Sequence, residues 1–380
     1  MKVIVGLSGG VDSSVAALLL KEAGHDVAGL FMRNWDSAIN NDRLGNPYPT
    51  NEICPQEQDY RDAQFVADQL GIDLYRHDFV QEYWEDVFQF FLDELAQGRT
   101  PNPDILCNKY IKFQAFFEIA KSLGAEKIAM GHFARLRDNG STELLRGVDP
   151  DKDQTYFLCQ ITQDQLRHSL FPVGHLTKSE IRKIARAHGL ATAQKKDSTG
   201  ICFIGERHFS QFLANYLPAK PGQIVTHHQI VVGMHEGLMN YTLGQRKGLG
   251  IGGDSRFKND PWFVAGKDLA TNQLFVVQGF SNDALYSDRC YVKGINWISG
   301  YPPTETSELS AKFRYRQKDV AITINFETNH DAWVYYPSRS RAVTPGQACV
   351  FYQKEVCLGG GTIESVFYQD QPRGGRLIDD

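Results

Sequence analysis

The sequence predicts an α/β protein with a parallel sheet in its N-terminal half, a small central α+β region and a C-terminal β-barrel. Three observations predict it. Apolar, β-branched runs alternate with helical patterns up to residue 135, the pattern of parallel strands joined by crossover helices. The alternation stops near 205–220, where Pro218-Ala219-Lys220-Pro221-Gly222 marks a junction. From about residue 285 the chain reads as short strands separated by turns, consistent with a small barrel. The expected domains are 1–205, 206–282 and 283–380.

Val3-Ile4-Val5 reads as a buried parallel strand. It breaks into Gly6-Leu7-Ser8-Gly9-Gly10, after which Val15, Leu18 and Leu19 recur at helical spacing. Asp12, Ser13 and Ser14 stand where N-cap and first-turn residues belong. Glycines admit close backbone approach, and amides at a helix start point at an anion, so Gly6 to Ser13 is a candidate phosphate cradle. No Gly-Lys-Ser/Thr follows and G-x-G-x-x-G spacing is absent, which argues against a Walker A loop and a dinucleotide fingerprint. A glycine-rich turn with no ligand is the bland alternative. Ser8-Gly-Gly-Val-Asp-Ser13 at a strand's end resembles the loop of the PP-loop ATP pyrophosphatases. The resemblance implies an adenine nucleotide alpha hydrolase-like (Rossmann-like) domain. It also implies that Gly6, Leu7, Ser8, Gly9, Gly10, Val11, Asp12 and Ser13 hold ATP, which is cleaved between its α- and β-phosphates.

The following elements continue the alternation. Asp26 to Arg33 reads as a second strand, 34–53 as a polar loop, 56–70 as a helix and Asp73 to Asp78 as a strand. In the helix expected over 82–97, Trp84, Val87, Phe88 and Phe91 recur at core spacing. Gly98 to Asp104 is a loop, a helix opens at Ile105-Leu106-Cys107-Asn108, and Lys127 to Met130 is a strand ending in Gly131-His132. In such sheets ligands bind beyond the carboxyl ends of the strands, where Met32 and Gly131 also fall. Thr177 to Gly189 is a basic helix with a capping box, Thr177-x-x-Glu180.

Composition sets the class. The 380 residues, 42% hydrophobic and 22% charged, have a formal net charge of −5, which neither supports nor excludes a nucleic-acid partner. No stretch reaches the roughly 18 apolar residues of a membrane span, and Met1-Lys2 leads straight into the first strand, so a cytoplasmic location and no membrane partner are expected. The seven cysteines include no C-x-x-C pair, so neither zinc nor an iron–sulfur cluster is expected.

Two cysteines stand out by neighbourhood. Cys107 lies at an expected helix start, where the dipole lowers a thiol pKa. Cys202 follows Lys195-Lys196, whose charges favour a thiolate. Cys159, Cys290, Cys349 and Cys357 read as small buried hydrophobes, and Cys54 is left open. Asp104 is either a general acid/base beside Cys107 or a helix N-cap.

Several segments occur in a fixed order: the phosphate loop; Arg99-Thr-Pro-Asn-Pro-Asp104-x-x-Cys107-Asn-x-x-Ile-Lys-Phe113; Gly131-His132; Lys152-Asp153-Gln154; and Asp197-Ser-Thr-Gly-Ile-Cys202-Phe-Ile-Gly205. Tyr241-Thr-x-Gly244-Gln-Arg-Lys-Gly248 and Pro345-Gly346-Gln347-Ala348 follow them. The ordered set resembles the tRNA-specific 2-thiouridylases of the MnmA type over nearly the whole chain. That resemblance implies the three domains above and replacement of O2 of the wobble uridine by sulfur, with adenylation by ATP and Mg²⁺ making O2 a leaving group. It implies that Met32 and Gly131 hold the adenosine, that Cys202 carries persulfide sulfur, and that Cys107 attacks it, ending in a Cys107–Cys202 disulfide. For the flipped-out base and its tRNA it implies Asn102, Pro103, Asp104, His132, Lys152, Asp153, Gln154, Arg314, Tyr315 and Gln347. The implied tRNAs read Lys, Glu and Gln codons, and the implied sulfur donor is a cysteine desulfurase or relay protein. The resemblance assigns nothing to the 34–53 loop.

Two basic stretches fit a tRNA surface. As a strand, Lys312-Phe313-Arg314-Tyr315-Arg316-Gln317-Lys318 puts four cations on one face and Phe313 and Tyr315 on the other, with Phe313 expected in the core. Lys178, Arg182, Lys183 and Arg186 form a helical face that is either a second basic surface or merely solvated. Rival readings are an amidotransferase-type or argininosuccinate-type PP-loop synthetase, an iron–sulfur tRNA thiolase, and a catalytically dead tRNA or nucleotide binder.

Overall fold

The computed structural model describes residues 1–45, 55–196, 208–253, 255–304 and 308–375. Its N-terminal strands are β1 (Lys2–Gly6), β2 (Asp26–Arg33), β3 (Leu74–Asp78), β4 (Lys127–Ala129), β5 (Ala134–Asp138), β6 (Thr142–Arg146) and β7 (Ser169–Leu170). Five of them form the expected parallel sheet, in the order β3-β2-β1-β4-β7. A sheet covered on both faces needs strands that are apolar on both sides. Accordingly Val3 and Val5 pack with helix α1 (Val11–Glu22) and α2 (Pro55–Leu70), while Ile4, Leu30 and Met32 face the opposite layer.

That opposite layer comes from two helical runs. The first comprises Val80–Tyr83, the π-helical turn Trp84–Phe88, and Gln89–Ala96, with Val87, Phe88 and Phe91 buried as the spacing predicts. The second comprises Pro103–Leu106, a nine-residue π-helical segment Cys107–Ala115, and Phe116–Ser122. Crossover helices run back against parallel strands, so α1, α2, the Pro103 helix and the helix Lys178–Ala187 all begin at the sheet's carboxyl edge.

The central region is a four-stranded sheet of β8 (Gly222–Val225), β9 (Val231–His235), β10 (Trp262–Asp268) and β11 (Gln273–Gln278), in the order β10-β11-β8-β9. The third is antiparallel: β12 (Tyr286–Trp297), β13 (Leu309–Lys312), β14 (Val320–Ala321), β15 (Thr323–Phe326), β16 (Ala332–Arg341), β17 (Ala348–Gln353) and β18 (Val356–Tyr368). β14 and β15 follow each other directly; β14 pairs with β13 and β15 with β16, so this stretch closes the sheet into a barrel. The β5–β6 hairpin ties the halves together. β6 adds to the barrel edge, with Leu144 opposite Cys357 and Leu145 opposite Val356.

One expected strand is corrected. β13 ends at Lys312, and 313–318 is a turn in which Gln317 Oε1 accepts from the Phe313 amide and Arg316 takes φ 64°. Phe313 is core, as expected. The four-cation face does not exist: Lys312 turns toward Asp153 at 3.8 Å, and Arg314 donates to the carbonyls of Leu243 and Ala342.

Candidate active site

The phosphate loop is built as its glycines require. Gly10 is the N-cap of α1 and supplies no side-chain cap, so Asp12 and Ser13 are first-turn residues. Ser13 Oγ accepts from the Ser8 amide at 3.2 Å and donates to the Gly10 carbonyl, folding the loop over the helix start. Gly9 has φ +71°, and a Cβ there would lie 2.2 Å from the Asp59 carbonyl oxygen of α2. A Cβ on Gly131 would meet the Ser13 nitrogen at 2.8 Å. Met130 and Met32 converge above Gly6, with Met130 Sδ 2.6 Å and Met32 Cε 3.5 Å from where its Cβ would be. The structure thus places Met32 and Gly131 at the loop, and adds Met130.

Charge at this edge is paired. Lys178 Nζ donates to both carboxylate oxygens of Asp12, at 2.7 and 2.8 Å. Lys195 Nζ donates to Asp59 Oδ1 at 2.7 Å and Asp62 Oδ2 at 2.5 Å. Burial works against the Lys195 charge, yet its bonds to Asp59 and Asp62 raise its pKa; burial also raises that of Asp59. Two expectations change. Lys195 is committed to α2 carboxylates, which weakens its case as the charge that favours a thiolate downstream. The basic face is split: Lys178 and Arg182 turn inward, Arg182 to the Ala193 carbonyl, whereas Lys183 and Arg186 are exposed.

Cys107 sits one turn inside its helix rather than at the start, fully buried, and opens the π-helical segment. Such segments are uncommon and frequent at functional sites. The N-cap is Asn102, whose side-chain oxygen accepts from the Asp104 amide at 3.1 Å. Asp104 is therefore not the cap. It lies three residues before Cys107, within reach on one helix face. Cys202 and Cys54 lie outside the described residues, as does the rest of 197–207.

The remaining expected residues gather where the parallel sheet meets the barrel. Gln154 Oε1 accepts from the Phe133 amide beside His132. Asp153 is buried and serves the structure, accepting from Gly147 N and Thr155, with Arg146 at 3.7 Å and Lys312 at 3.8 Å. Lys152 is half-buried at the same turn. Tyr315 packs its ring 4.4 Å from that of Phe157. Gln347 Nε2 donates to the Thr100 carbonyl at 2.7 Å, next to Pro101-Asn102-Pro103. Burial pushes the His132 imidazole well below its usual pKa, so it is neutral at pH 7. His132 Nδ1 and Asn108 Oδ1 are buried with no hydrogen-bond partner among the described residues. Orphaned polar atoms of this kind call for an explanation, and a bound ligand is one.

Residues 1–206 match the family model for the tRNA methyl transferase HUP domain, 210–278 its PRC-barrel domain, and 287–363 the aminomethyltransferase β-barrel domain. The tRNA-specific 2-thiouridylase MnmA of Lacticaseibacillus paracasei is 54% identical over 97% of this chain and 95% of its own. That of Acholeplasma laidlawii is 53% identical over 98% of both chains. The chain belongs to the tRNA-specific 2-thiouridylase family. A solved 4-thiouridine synthetase–RNA complex with bound ATP aligns over 54% of this chain and 46% of its own, at 15% identity and TM-score 0.33.

Within this thiouridylase fold, the edge residues missed by sequence reasoning are Asp59, Asp62, Met130 and the inward role of Lys178. The last was within reach. The Thr177 capping box makes Lys178 the first residue of a helix, and helices of this sheet begin at its carboxyl edge. Among the described residues no cluster of three or more His, Cys, Asp or Glu side chains could hold a metal ion, and no helix is long and apolar enough to cross a membrane.

Proposed function

We propose that the protein is an ATP-dependent tRNA 2-thiouridylase that exchanges O2 of the wobble uridine for sulfur. The observation that carries this reading is a convergence at one edge of the sheet. A glycine-built anion cradle, the helix of Cys107 and the orphaned atoms of Asn108 and His132 share that edge. Its relatives' name supports tRNA as the substrate, and Lys, Glu and Gln isoacceptors are the proposed ones.

Uridine O2 is a poor leaving group. Attack of O2 on the α-phosphorus of ATP releases pyrophosphate and leaves C2 bonded to an oxygen that departs as AMP. The first-turn amides of α1 face the phosphates, with Lys178 and Asp12 at their side. The donor set fits magnesium held chiefly by the nucleotide's own phosphates, because Asp12 is the only acid of the loop itself. Bound there, magnesium would neutralise pyrophosphate charge. Neutral His132 and Asn108 offer polar atoms to the flipped uracil.

Cys202 carries the sulfur as a persulfide, received from a cysteine desulfurase or relay protein. Cys107 thiolate attacks Cys202 Sγ, the sulfur–sulfur bond breaks, and its electron pair leaves with the terminal sulfur, which bonds C2 as AMP departs. The Cys107–Cys202 disulfide so formed is reset by a two-electron thiol reductant. Asp104 takes the proton of Cys107 before the attack, and the thiol regains a proton when the disulfide is reduced. The test is reaction of the protein with ATP, unmodified tRNA and a persulfide donor. Mass spectrometry should find 2-thiouridine at the wobble position, and chromatography AMP and pyrophosphate; ADP and phosphate as the products would sink the assignment.

A further inference from the structure

The segment Gly98–Thr100, just before Pro101-Asn102-Pro103-Asp104, is held by the two downstream sheets rather than by its own. From β10 of the central sheet, Lys267 Nζ donates to the Gly98 carbonyl at 3.0 Å. From the barrel side, the Thr100 amide donates to the Pro345 carbonyl at 3.0 Å, and Gln347 Nε2 donates to the Thr100 carbonyl at 2.7 Å. Gly346 has φ +91°, and a Cβ on it would come within 2.8 Å of the Thr100 nitrogen and 3.1 Å of Arg99 Cβ, so the two backbones touch.

Arg99 is the bolt through this joint. Its Nε donates to Glu94 Oε2 at 2.7 Å on the helix that precedes it, and its Nη1 donates to Glu364 Oε2 at 2.8 Å on β18 of the barrel. Nη2 reaches the Ile363 carbonyl at 3.3 Å. Arg99 and Glu94 are well shielded, with 16% and 11% of their side chains exposed, so this pair is stronger than a surface ion pair. From Thr100 onward the chain has little freedom. Pro101 and Pro103 fix two φ angles, and Asn102 caps the helix that carries Cys107. Displacement of the bolt is therefore delivered to Cys107.

We propose that Arg99 is a positioning residue for sulfur transfer, joining Glu364 of the barrel to the helix of Cys107. The proposal rests on the reading above that Cys107 acts at the bound uridine. A misplaced reacting group near 1 Å off costs up to about 10²-fold in rate, whereas affinity for tRNA depends on contacts elsewhere.

The test compares wild type with Arg99→Ala and with Glu364→Gln, a change at a partly exposed barrel site that keeps the side chain's shape. Hydrogen exchange of the 101–108 peptide is measured without ligands. Single-turnover thiolation is measured at saturating ATP and tRNA, and tRNA affinity by filter binding. For Arg99→Ala the expected result is exchange and rate each changed about tenfold, exchange upward and rate downward, with tRNA affinity within about twofold. Glu364→Gln should shift both in the same directions by less. Unchanged exchange, an unchanged rate, or a loss confined to tRNA affinity would overturn the proposal. If the wild type makes no thiouridine, the functional reading fails, and unchanged exchange at Leu106 and Cys107 still removes the bolt on its own.

Discussion

Lys178 Nζ stands 2.7 and 2.8 Å from the two carboxylate oxygens of Asp12, joining the first turns of two helices that begin at the same edge of the parallel sheet. The pair is partly shielded, with 13% of the Lys178 and 31% of the Asp12 side chain exposed. In the proposed adenylation, a cation fixed here would meet the negative charge that develops on the departing pyrophosphate. Lys178→Met should lower turnover by about 10²-fold or more while leaving the fold intact. Steady-state AMP release and circular dichroism together check this, and near-normal turnover would reduce Lys178 to a surface partner of Asp12.

Gly131 tests the cradle from the other side. The alanine methyl of Gly131→Ala would press on backbone, 2.8 Å from Ser13 N and 2.9 Å from the Asp12 carbonyl carbon, with no flexible side chain to give way. The first turn of α1 must shift. Nucleotide titration should show ATP binding weakened about tenfold or more, with tRNA binding unchanged.

Arg314 is half-buried, and burial and then the nearby Arg341 lower its pKa; its guanidinium holds the Leu243 and Ala342 carbonyls. Arg314→Ala should therefore act on stability, leaving two carbonyls short of a charged donor at a cost of about 2 kcal/mol or more. Denaturation with urea measures it. A change only in the salt dependence of tRNA binding, with stability untouched, would return Arg314 to the role of a plain phosphate contact.

Burial lowers the Lys267 ammonium from its usual 10.5 to about 8. Below pH 8 the lysine is charged in both folded and unfolded chains, so the folded state carries the full cost of burying that charge. Between about 8 and 10.5 the folded protein releases the proton first, and stability rises with pH, by about 3 kcal/mol across the window. The difference in unfolding free energy between wild type and Lys267→Met isolates this gain from every other titrating group. A flat difference across the window would show that the buried ammonium is not depressed.

These residues also mark how far the sequence reads on its own. The turn at Gly9 and Ser13 was legible because a strand-to-helix turn through glycines is a local backbone problem with few solutions. Thr177 and Glu180 were legible because a capping box is closed within four residues. Lys312 to Lys318 misled because alternation is necessary for a half-buried strand and not sufficient. The Gln317 side chain and the left-handed Arg316 close a turn there, and long-range partners at Asp153, Leu243 and Ala342 draw the cations apart. Lys178 with Asp12, and Arg99 with Glu364, join residues far apart in the chain that share no local signature. The capping box could have put Lys178 at this edge, but its partner, like that of Arg99, shows only in the packed fold.

Sulfur itself gives the most direct test of the central claim, that Cys202 carries it and Cys107 delivers it to the uridine. The wild type, Cys107→Ser and Cys202→Ser are each incubated with a labelled persulfide donor, ATP and unmodified tRNA, and label is followed in peptides and in nucleosides. Cys107→Ser should take up label at Cys202 and make no 2-thiouridine, and Cys202→Ser should take up none at the site. Label on Cys107 in the Cys202→Ser protein, or labelled 2-thiouridine made by Cys107→Ser, would contradict the account.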